Sequence, residues 1–269
     1  MDLERYLARI GFGGTPRVDL DTLRRLHRAH LDAIPYENLD VQLGRPVSLE
    51  LPRVYDKIVE GRRGGWCYEM CGLFGWAIGE IGFPVTRVAG GVARALFGDF
   101  AVGNHLVLRV DLERPYLADV GFGDGFVEPV PVEAGAFRQR FLDFRMEPLE
   151  DGWWRLHNHP HGSAPSFDFR LEPAPSELLE EKCRWLQTNP LSPFVQNAVC
   201  QRHFPEKLEL LRGKVLRTVR ADGVAERELE SAEEYVAVLA DVFGLDLPEA
   251  ASLWPRIEKR HAELFAARG

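Results

Sequence analysis

The sequence predicts an α+β fold built as three consecutive stretches, helical, then β, then mixed. Three observations carry that prediction: apolar residues recur at helical spacing over about the first 85 residues, alternate at period two from about Val85 to Glu172, and do both after Pro193. Read as domains, these are residues 1–85, 86–190 and 191–269.

In the helical stretch, Asp2 to Ile10 reads as a short amphipathic helix ended by the Gly11, Gly13 and Gly14 cluster. Asp19 to Ala33 follows, with Leu20, Leu23, Leu26, His27, Ala29 and His30 at helical spacing and Pro35 beyond its end. His27 and His30 are expected on its faces as packing or surface residues, not as ligands. Pro35-Tyr36-Glu37-Asn38-Leu39 has no period, and its mixed polar and aromatic content suits either a surface loop or a pocket wall, of which sequence alone favours the loop. Ser48 to Glu60 is the next helix, expected to stop at Gly61. After Arg62-Arg63-Gly64-Gly65-Trp66, Cys67 opens an apolar run (Met70, Cys71, Leu73, Phe74, Trp76, Ala77, Ile78) that reads as a buried helix closed by Gly79, Gly82 and Pro84. The paired glycines are expected to supply backbone angles closed to other residues and so to deliver Cys67 to the first helical turn. The positive end of the helix dipole there favours thiolate over thiol.

The period-two segments predict strands at Val85–Ala89, His105–Val110, Tyr116–Val120, Trp153–Leu156 and Phe167–Leu171, with Glu150-Asp151-Gly152 turning a hairpin after Phe144–Met146. His157, His159 and His161 straddle Pro160 in a stretch of loop-like composition and are read as exposed rather than metal-bound. Pro173 to Pro193 reads as a bridge. The last unit is expected to contain strands at Lys214–Val219 and Ala225–Leu229 around Asp222-Gly223, then helices at Ser231–Phe243 and Pro248–Ala267.

Composition narrows the function. The 269 residues are 45% hydrophobic and 28% charged, ordinary for a water-soluble chain with a sizeable core. No apolar run approaches the ~18 residues of a membrane span, and Met1-Asp2-Leu3-Glu4 lacks a signal-peptide pattern, so a cytoplasmic protein without a membrane partner is expected. A net charge of −8 argues against nucleic acid. Four scattered cysteines (Cys67, Cys71, Cys183, Cys200) suggest neither a disulfide framework nor a structural zinc site, and Cys67, Cys71 and His105 fall short of the four ligands such a site uses; no metal is expected. Gly121, Gly123 and Gly125 form G-x-G-x-G without the spacing of a dinucleotide-binding loop.

The segments around His105 and Asp119 flank the short acidic turn Asp111-Leu112-Glu113 and are expected to pair as neighbouring antiparallel strands. With the turn centred on Leu112, paired positions sum to 224, which sets His105 opposite Asp119 on one face of the sheet. A slip of one residue would send them to opposite faces. A cysteine at a helix start, a histidine on a strand and an aspartate on the next strand are the parts of an activated thiol nucleophile.

Arg63-Gly64-Gly65-Trp66-Cys67-Tyr68-Glu69, the His105-Leu106-Val107-Leu108 strand, Asp119-Val120-Gly121-Phe122-Gly123 and Pro35-Tyr36-Glu37-Asn38-Leu39 together resemble the arylamine N-acetyltransferase family, in its order and at its approximate spacing. The resemblance covers essentially the whole chain. It implies an N-terminal helical domain, a central antiparallel β-barrel and a C-terminal α/β lid around a papain-like Cys-His-Asp core. It implies ping-pong acetyl transfer from acetyl-CoA through an acetyl-cysteine to an arylamine, hydrazine or N-hydroxyarylamine, with Cys67 as nucleophile, His105 as base and Asp119 as its orienting partner. By the same resemblance Tyr36, Val92, Phe122 and Phe194 are substrate-binding residues, and Gly103, Asn104 and Gly123 lie close to coenzyme A. Lys214, Arg217 and Arg220 could meet the CoA phosphates, but the reading preferred for them is a solvated strand face. The chain departs from the family pattern twice: Cys71 stands where Asn is usual, and Tyr36 where Phe is common. Cys71 is expected to be a buried, inert thiol. Three readings compete with acetyl transfer: a thiol hydrolase or transglutaminase-like enzyme, an amide synthase of polyketide assembly, and a catalytically silent binding protein. The joint presence of Cys67, His105 and Asp119 argues against the last.

Overall fold

In the computed structural model, which describes residues 1–266, the helical stretch opens with α1 (Leu3–Arg9) and α2 (Leu20–Ala33). Each is started by an aspartate whose carboxylate accepts first-turn N–H groups, Asp2 from Glu4 and Arg5, Asp19 from Thr22. Segment 35–39 is not the surface loop its composition predicts. Tyr36–Glu37 forms strand β1, α3 (Leu39–Gln42) follows, and Tyr36, Glu37, Asn38 and Leu39 are all buried. Its polar groups find distant partners: Asn38 Nδ2 donates to the carbonyls of Phe194 and Asn197, and Glu37 accepts from Arg63. A satisfied buried polar segment and a solvated loop have the same composition.

The next helix is also corrected. α4 spans Leu51–Tyr55 and passes into a π-helical stretch, Asp56–Glu60. Gly61 has an ordinary right-handed φ of −77°, and Arg62 is the left-handed residue with φ of +52°. Glycine is needed at 61 for space, because a Cβ there would stand 2.8 Å from the Lys57 carbonyl oxygen.

Helix α5 (Cys67–Ile81) is the central element. Apolar nearly all round, it buries Tyr68, Met70, Leu73, Phe74, Ala77 and Ile78, and Gly82 closes it in the left-handed region with φ of +108°.

Strands β2 (Val85–Val92), β3 (His105–Asp111), β4 (Pro115–Ala118), β5 (Val130–Pro131), β6 (Gly135–Gln139), β7 (Leu142–Pro148), β8 (Trp154–His157) and β9 (Ser166–Phe169) form an antiparallel sheet in the order β5-β4-β3-β2-β9-β8-β7-β6. A short helix, α6 (Arg94–Phe97), lies between β2 and β3. The sheet curls around one core in which Val88, Val107 and Leu117 meet Phe144, Leu156 and Phe167 from the far strands. Leu106, Leu108 and Val110 pack on the other side of β3, in the cluster that holds α5. Burial on both faces explains why β3 reads as a nearly continuous apolar run.

The expected bridge is itself helical: α7 (Ser176–Thr188) and α8 (Pro193–Gln196) lead into the lid. The lid sheet holds β10 (Val199–His203), β11 (Leu208–Arg212), β12 (Val215–Arg220) and β13 (Gly223–Glu228), with β1 paired onto β10. Only β12 and β13 are legible in the sequence, because Gln201, His203 and Glu209 are buried and disguise the period of β10 and β11. Helices α9 (Ala232–Asp241) and α10 (Trp254–Ala266) cover the sheet, with a 3₁₀ segment, Pro248–Leu253, between them; Ala267 lies outside the described residues. No described helix is long and apolar enough to cross a membrane.

His203 on β10 is buried with Nε2 unpartnered among the described residues, and burial, aided by Arg140, His159 and His27, lowers its pKa to about 3. Its folded pKa lies below the unfolded one near 6.5, so the stability it contributes is lost as pH falls below about 6.5. The expected loss is roughly 3 kcal/mol by about pH 4. Urea unfolding against pH should show a shallower acid slope in His203→Gln than in the wild type; identical slopes would contradict this.

Candidate active site

Cys67 is delivered by close packing. Neither Gly64 nor Gly65 has a positive φ, so they do not serve as the conformational hinge expected from sequence. A Cβ on Gly64 would lie 2.1 Å from the Pro35 carbonyl oxygen, and one on Gly65 would lie 2.9 Å from Glu69 Cβ. The pair lets β1 and the start of α5 approach within backbone contact, and the Glu37 N–H donates to the Gly65 carbonyl at 2.9 Å. Glu69 Oε2 accepts the Trp66 N–H at 3.2 Å. A buried ionic network underpins the turn: Lys57 Nζ contacts Asp40 at 2.8 Å and Glu69 at 2.9 Å, and Arg63 contacts Glu37 at 2.7 Å and Asp40 at 3.1 Å. Burial opposes the Lys57 charge, but the carboxylates of Glu37, Glu69 and Asp40 outweigh it and hold the ammonium well above its ordinary range.

The expected meeting of His105 and Asp119 is present, by a different register. β3 and β4 pair Leu108 with Ala118 and Asp111 with Pro115, so the loop is Leu112-Glu113-Arg114 and pairing is displaced by two residues from the expectation. A two-residue shift preserves the face, and His105 Nε2 reaches Asp119 Oδ2 at 2.7 Å. Both residues are buried. Asp119 lies just past the end of β4. Its Oδ1 accepts the Gly121 N–H at 2.8 Å and faces Cys71 Sγ at 3.5 Å, so Cys71 is buried as expected but is in contact with the carboxylate.

Cys67 Sγ accepts from the backbone N–H of Leu106 and lies 4.0 Å from the Asn104 carbonyl oxygen, the peptide groups on either side of His105. Burial pushes the Cys67 thiol up, against the pull of the Leu106 and Tyr68 N–H groups. The Tyr68 N–H of the first helical turn favours the thiolate, as expected of a helix start, and burial opposes it.

Cys67 and His105 open into a cavity of about 690 Å³ whose walls include Tyr36, Val92, Phe122 and Phe194, all four expected from sequence. Phe122 stands edge-on to His105 at 5.4 Å, and Phe194 edge-on to Trp66 at 5.3 Å. Exposed Phe97, Phe100 and Leu191 form an apolar mouth. Asn104 also lines the cavity, while its side chain clasps the backbone of Val92. Gly103 and Gly123 make close contacts inside the protein: Cβ atoms there would meet Leu178 Cγ at 2.9 Å and Gln201 Oε1 at 1.7 Å.

A second cavity of about 630 Å³ shares Ser163, Gln196, Asn197, Leu210 and Arg212 with the first and adds Arg217, Arg227, Arg256 and Arg260. Lys214 and Arg217 pair with Glu228 and Glu226 on β13. Several site residues are missed by sequence reading. Asp124 is a buried cavity residue whose carboxylate accepts from Asn158 and Ser163, and burial raises its pKa. His159, expected to be exposed, is buried with Nε2 2.9 Å from the Asp124 carbonyl oxygen. His27 is buried beneath Asp119.

The sequence profile described as N-acetyltransferase matches residues 19–252. The arylamine N-acetyltransferase of Mycolicibacterium smegmatis is 36% identical over 93% of this chain and 94% of its own length. The chain belongs to the arylamine N-acetyltransferase family. Among solved structures, the M. smegmatis arylamine N-acetyltransferase superimposes with a TM-score of 0.86 at 34% identity, covering 96% of this chain and 97% of that one. The Mycobacterium marinum arylamine N-acetyltransferase in complex with CoA gives 0.86 at 34%, covering 96% and 99%.

Gly121 is a point of close approach between the cysteine helix and the aspartate loop. A Cβ there would lie 2.7 Å from Cys67 Cα and 2.9 Å from Cys71 Sγ. Gly121→Ala should lower acetyl-transfer rate by ~100-fold through displacement of Cys67. Gly79→Ala, inside the same helix with open space at its Cβ, should retain the rate and match or slightly raise the melting temperature. Steady-state kinetics of the two variants check this, and an active Gly121→Ala would contradict the contact.

Proposed function

We propose that the chain transfers an acetyl group from acetyl-CoA to an arylamine, hydrazine or N-hydroxyarylamine through an acetyl-thioester on Cys67. The observation that carries this reading is the buried His105 and Asp119 pair in the same cavity as a thiol whose ionisation burial opposes. A lone thiolate in this cavity would lose its water, so charge on Sγ has to appear together with a proton on a neighbour. With His105 Nε2 engaged by Asp119, Nδ1 is the nitrogen left to exchange that proton.

In the first half-reaction, Cys67 Sγ attacks the thioester carbon while its proton passes to His105. The carbon–sulfur bond to CoA breaks, and His105 returns the proton to the departing CoA sulfur. In the second, the amine nitrogen attacks the acetyl-cysteine, His105 removes a proton from it, and the amide leaves as Cys67 regains its thiol. Asp119 holds the imidazole tautomer and supports the imidazolium formed in each half. The apolar walls of Tyr36, Val92, Phe122 and Phe194 suit a flat, weakly basic amine. The neighbouring cavity is lined by Arg217, Arg227, Arg256 and Arg260, guanidinium groups of the kind that bind phosphate, so Arg217 is assigned to CoA in preference to Lys214 and Arg220, which do not line it.

Intact mass after incubation with acetyl-CoA tests the reading. One acetyl unit is expected on the wild type and none on Cys67→Ala, and addition of an aromatic amine should remove it as the amide. Acetylation that persists in Cys67→Ala would name the wrong nucleophile, and loss of the acetyl group only to water would favour a thiol hydrolase.

A further inference from the structure

Helix α2 carries a histidine that the chemistry above does not use. His27 is fully buried, stacked on Phe126 at 5.7 Å and edge-on to Phe74 at 5.6 Å. Both ring nitrogens are engaged, and the partners dictate where the proton sits. Nδ1 lies 2.9 Å from the Val127 carbonyl oxygen, which only accepts, so Nδ1 carries the proton. Nε2 lies 3.1 Å from the Asp119 backbone nitrogen, which only donates, so Nε2 presents its lone pair.

One imidazole therefore ties both ends of segment 119–127 to a helix 92 and 100 residues earlier in the chain. That segment needs an external anchor. The β4 ladder ends at Ala118, which leaves the Asp119 N–H outside the sheet. Gly121, Gly123 and Gly125 follow, Gly123 with φ of +82°, so local backbone preference does little to fix the direction in which Asp119 leaves the strand.

We propose that His27 is a positioning residue: its neutral Nδ1–H tautomer anchors the Asp119 backbone and so aims the carboxylate at His105. A protonated ring would set two donors against each other at the Asp119 N–H, and burial lowers the His27 pKa to about 4, which keeps the ring neutral at ordinary pH. The inference rests on the triad proposed above.

The test separates the two ring nitrogens. A glutamine amide overlays the Nε2 end of the imidazole and an asparagine amide the Nδ1 end. His27→Gln thus keeps an acceptor for the Asp119 N–H, whereas His27→Asn keeps only a donor for the Val127 carbonyl. The readouts are the single-turnover rate of Cys67 acetylation, KM for acetyl-CoA and the melting temperature. His27→Asn should lose ~10- to 100-fold in rate with KM little changed, and His27→Gln should recover most of that loss at a similar melting temperature. Equal rates in the two variants, or a loss that follows melting temperature alone, would overturn the proposal. Should neither variant fold, ¹⁵N spectra of the wild-type histidine rings decide it: an Nδ1–H tautomer for His27 supports the anchor, and an Nε2–H or charged ring overturns it. A wild-type chain that takes up no acetyl group would instead count against the acyl-transfer reading, and the tautomer spectrum distinguishes the two failures.

Discussion

A carboxylate without water has to be surrounded by donors, and the buried Asp119 carboxylate is the constraint on which this site depends. His105 takes one oxygen, and the Gly121 N–H with Cys71 Sγ takes the other. His27 takes the backbone amide. The carboxylate's donors come from α5, β3 and the loop after β4, and the acceptor for the Asp119 N–H comes from α2, so the helical layer and the curled sheet meet where the charge lies. The thiol obeys the same rule. Burial opposes a charge on Cys67, and in the proposed mechanism that charge is matched by a proton on His105, which Asp119 holds.

The second constraint is space. Gly64, Gly65 and Gly121 bring Pro35, Glu69 and Cys67 backbone or side-chain atoms closer than any Cβ allows. Through Gly65, β1 joins the start of α5, and through β10 it joins the lid sheet, so the lid wall containing Phe194 is fixed relative to the nucleophile. Apolar walls line one of the two adjoining cavities and arginines the other.

What the sequence discloses about such a site is what local periodicity encodes. Cys67 opens a helix and His105 a strand, and the parity of a strand survives a register error of two, so the His105 and Asp119 pair is legible even though the turn is misplaced. Tyr36–Glu37 and β10 are illegible because their buried polar residues owe their satisfaction to partners far along the chain. The reason for the glycine pair is hidden likewise: composition reveals a glycine, but only the fold reveals whether it answers to an angle or to a neighbour. His27 sits at ordinary helical spacing, and nothing local distinguishes a packing histidine from one that bridges Asp119 and Val127.

The central claim, that the Cys67 charge exists only in concert with His105, is tested most directly by thiolate absorbance near 240 nm followed against pH. The wild type minus Cys67→Ala should show a thiolate forming well below the ordinary thiol midpoint of about 8.5. The same difference in a His105→Gln background should show it forming above that midpoint, as burial alone dictates. Superimposable curves in the two backgrounds would contradict the account.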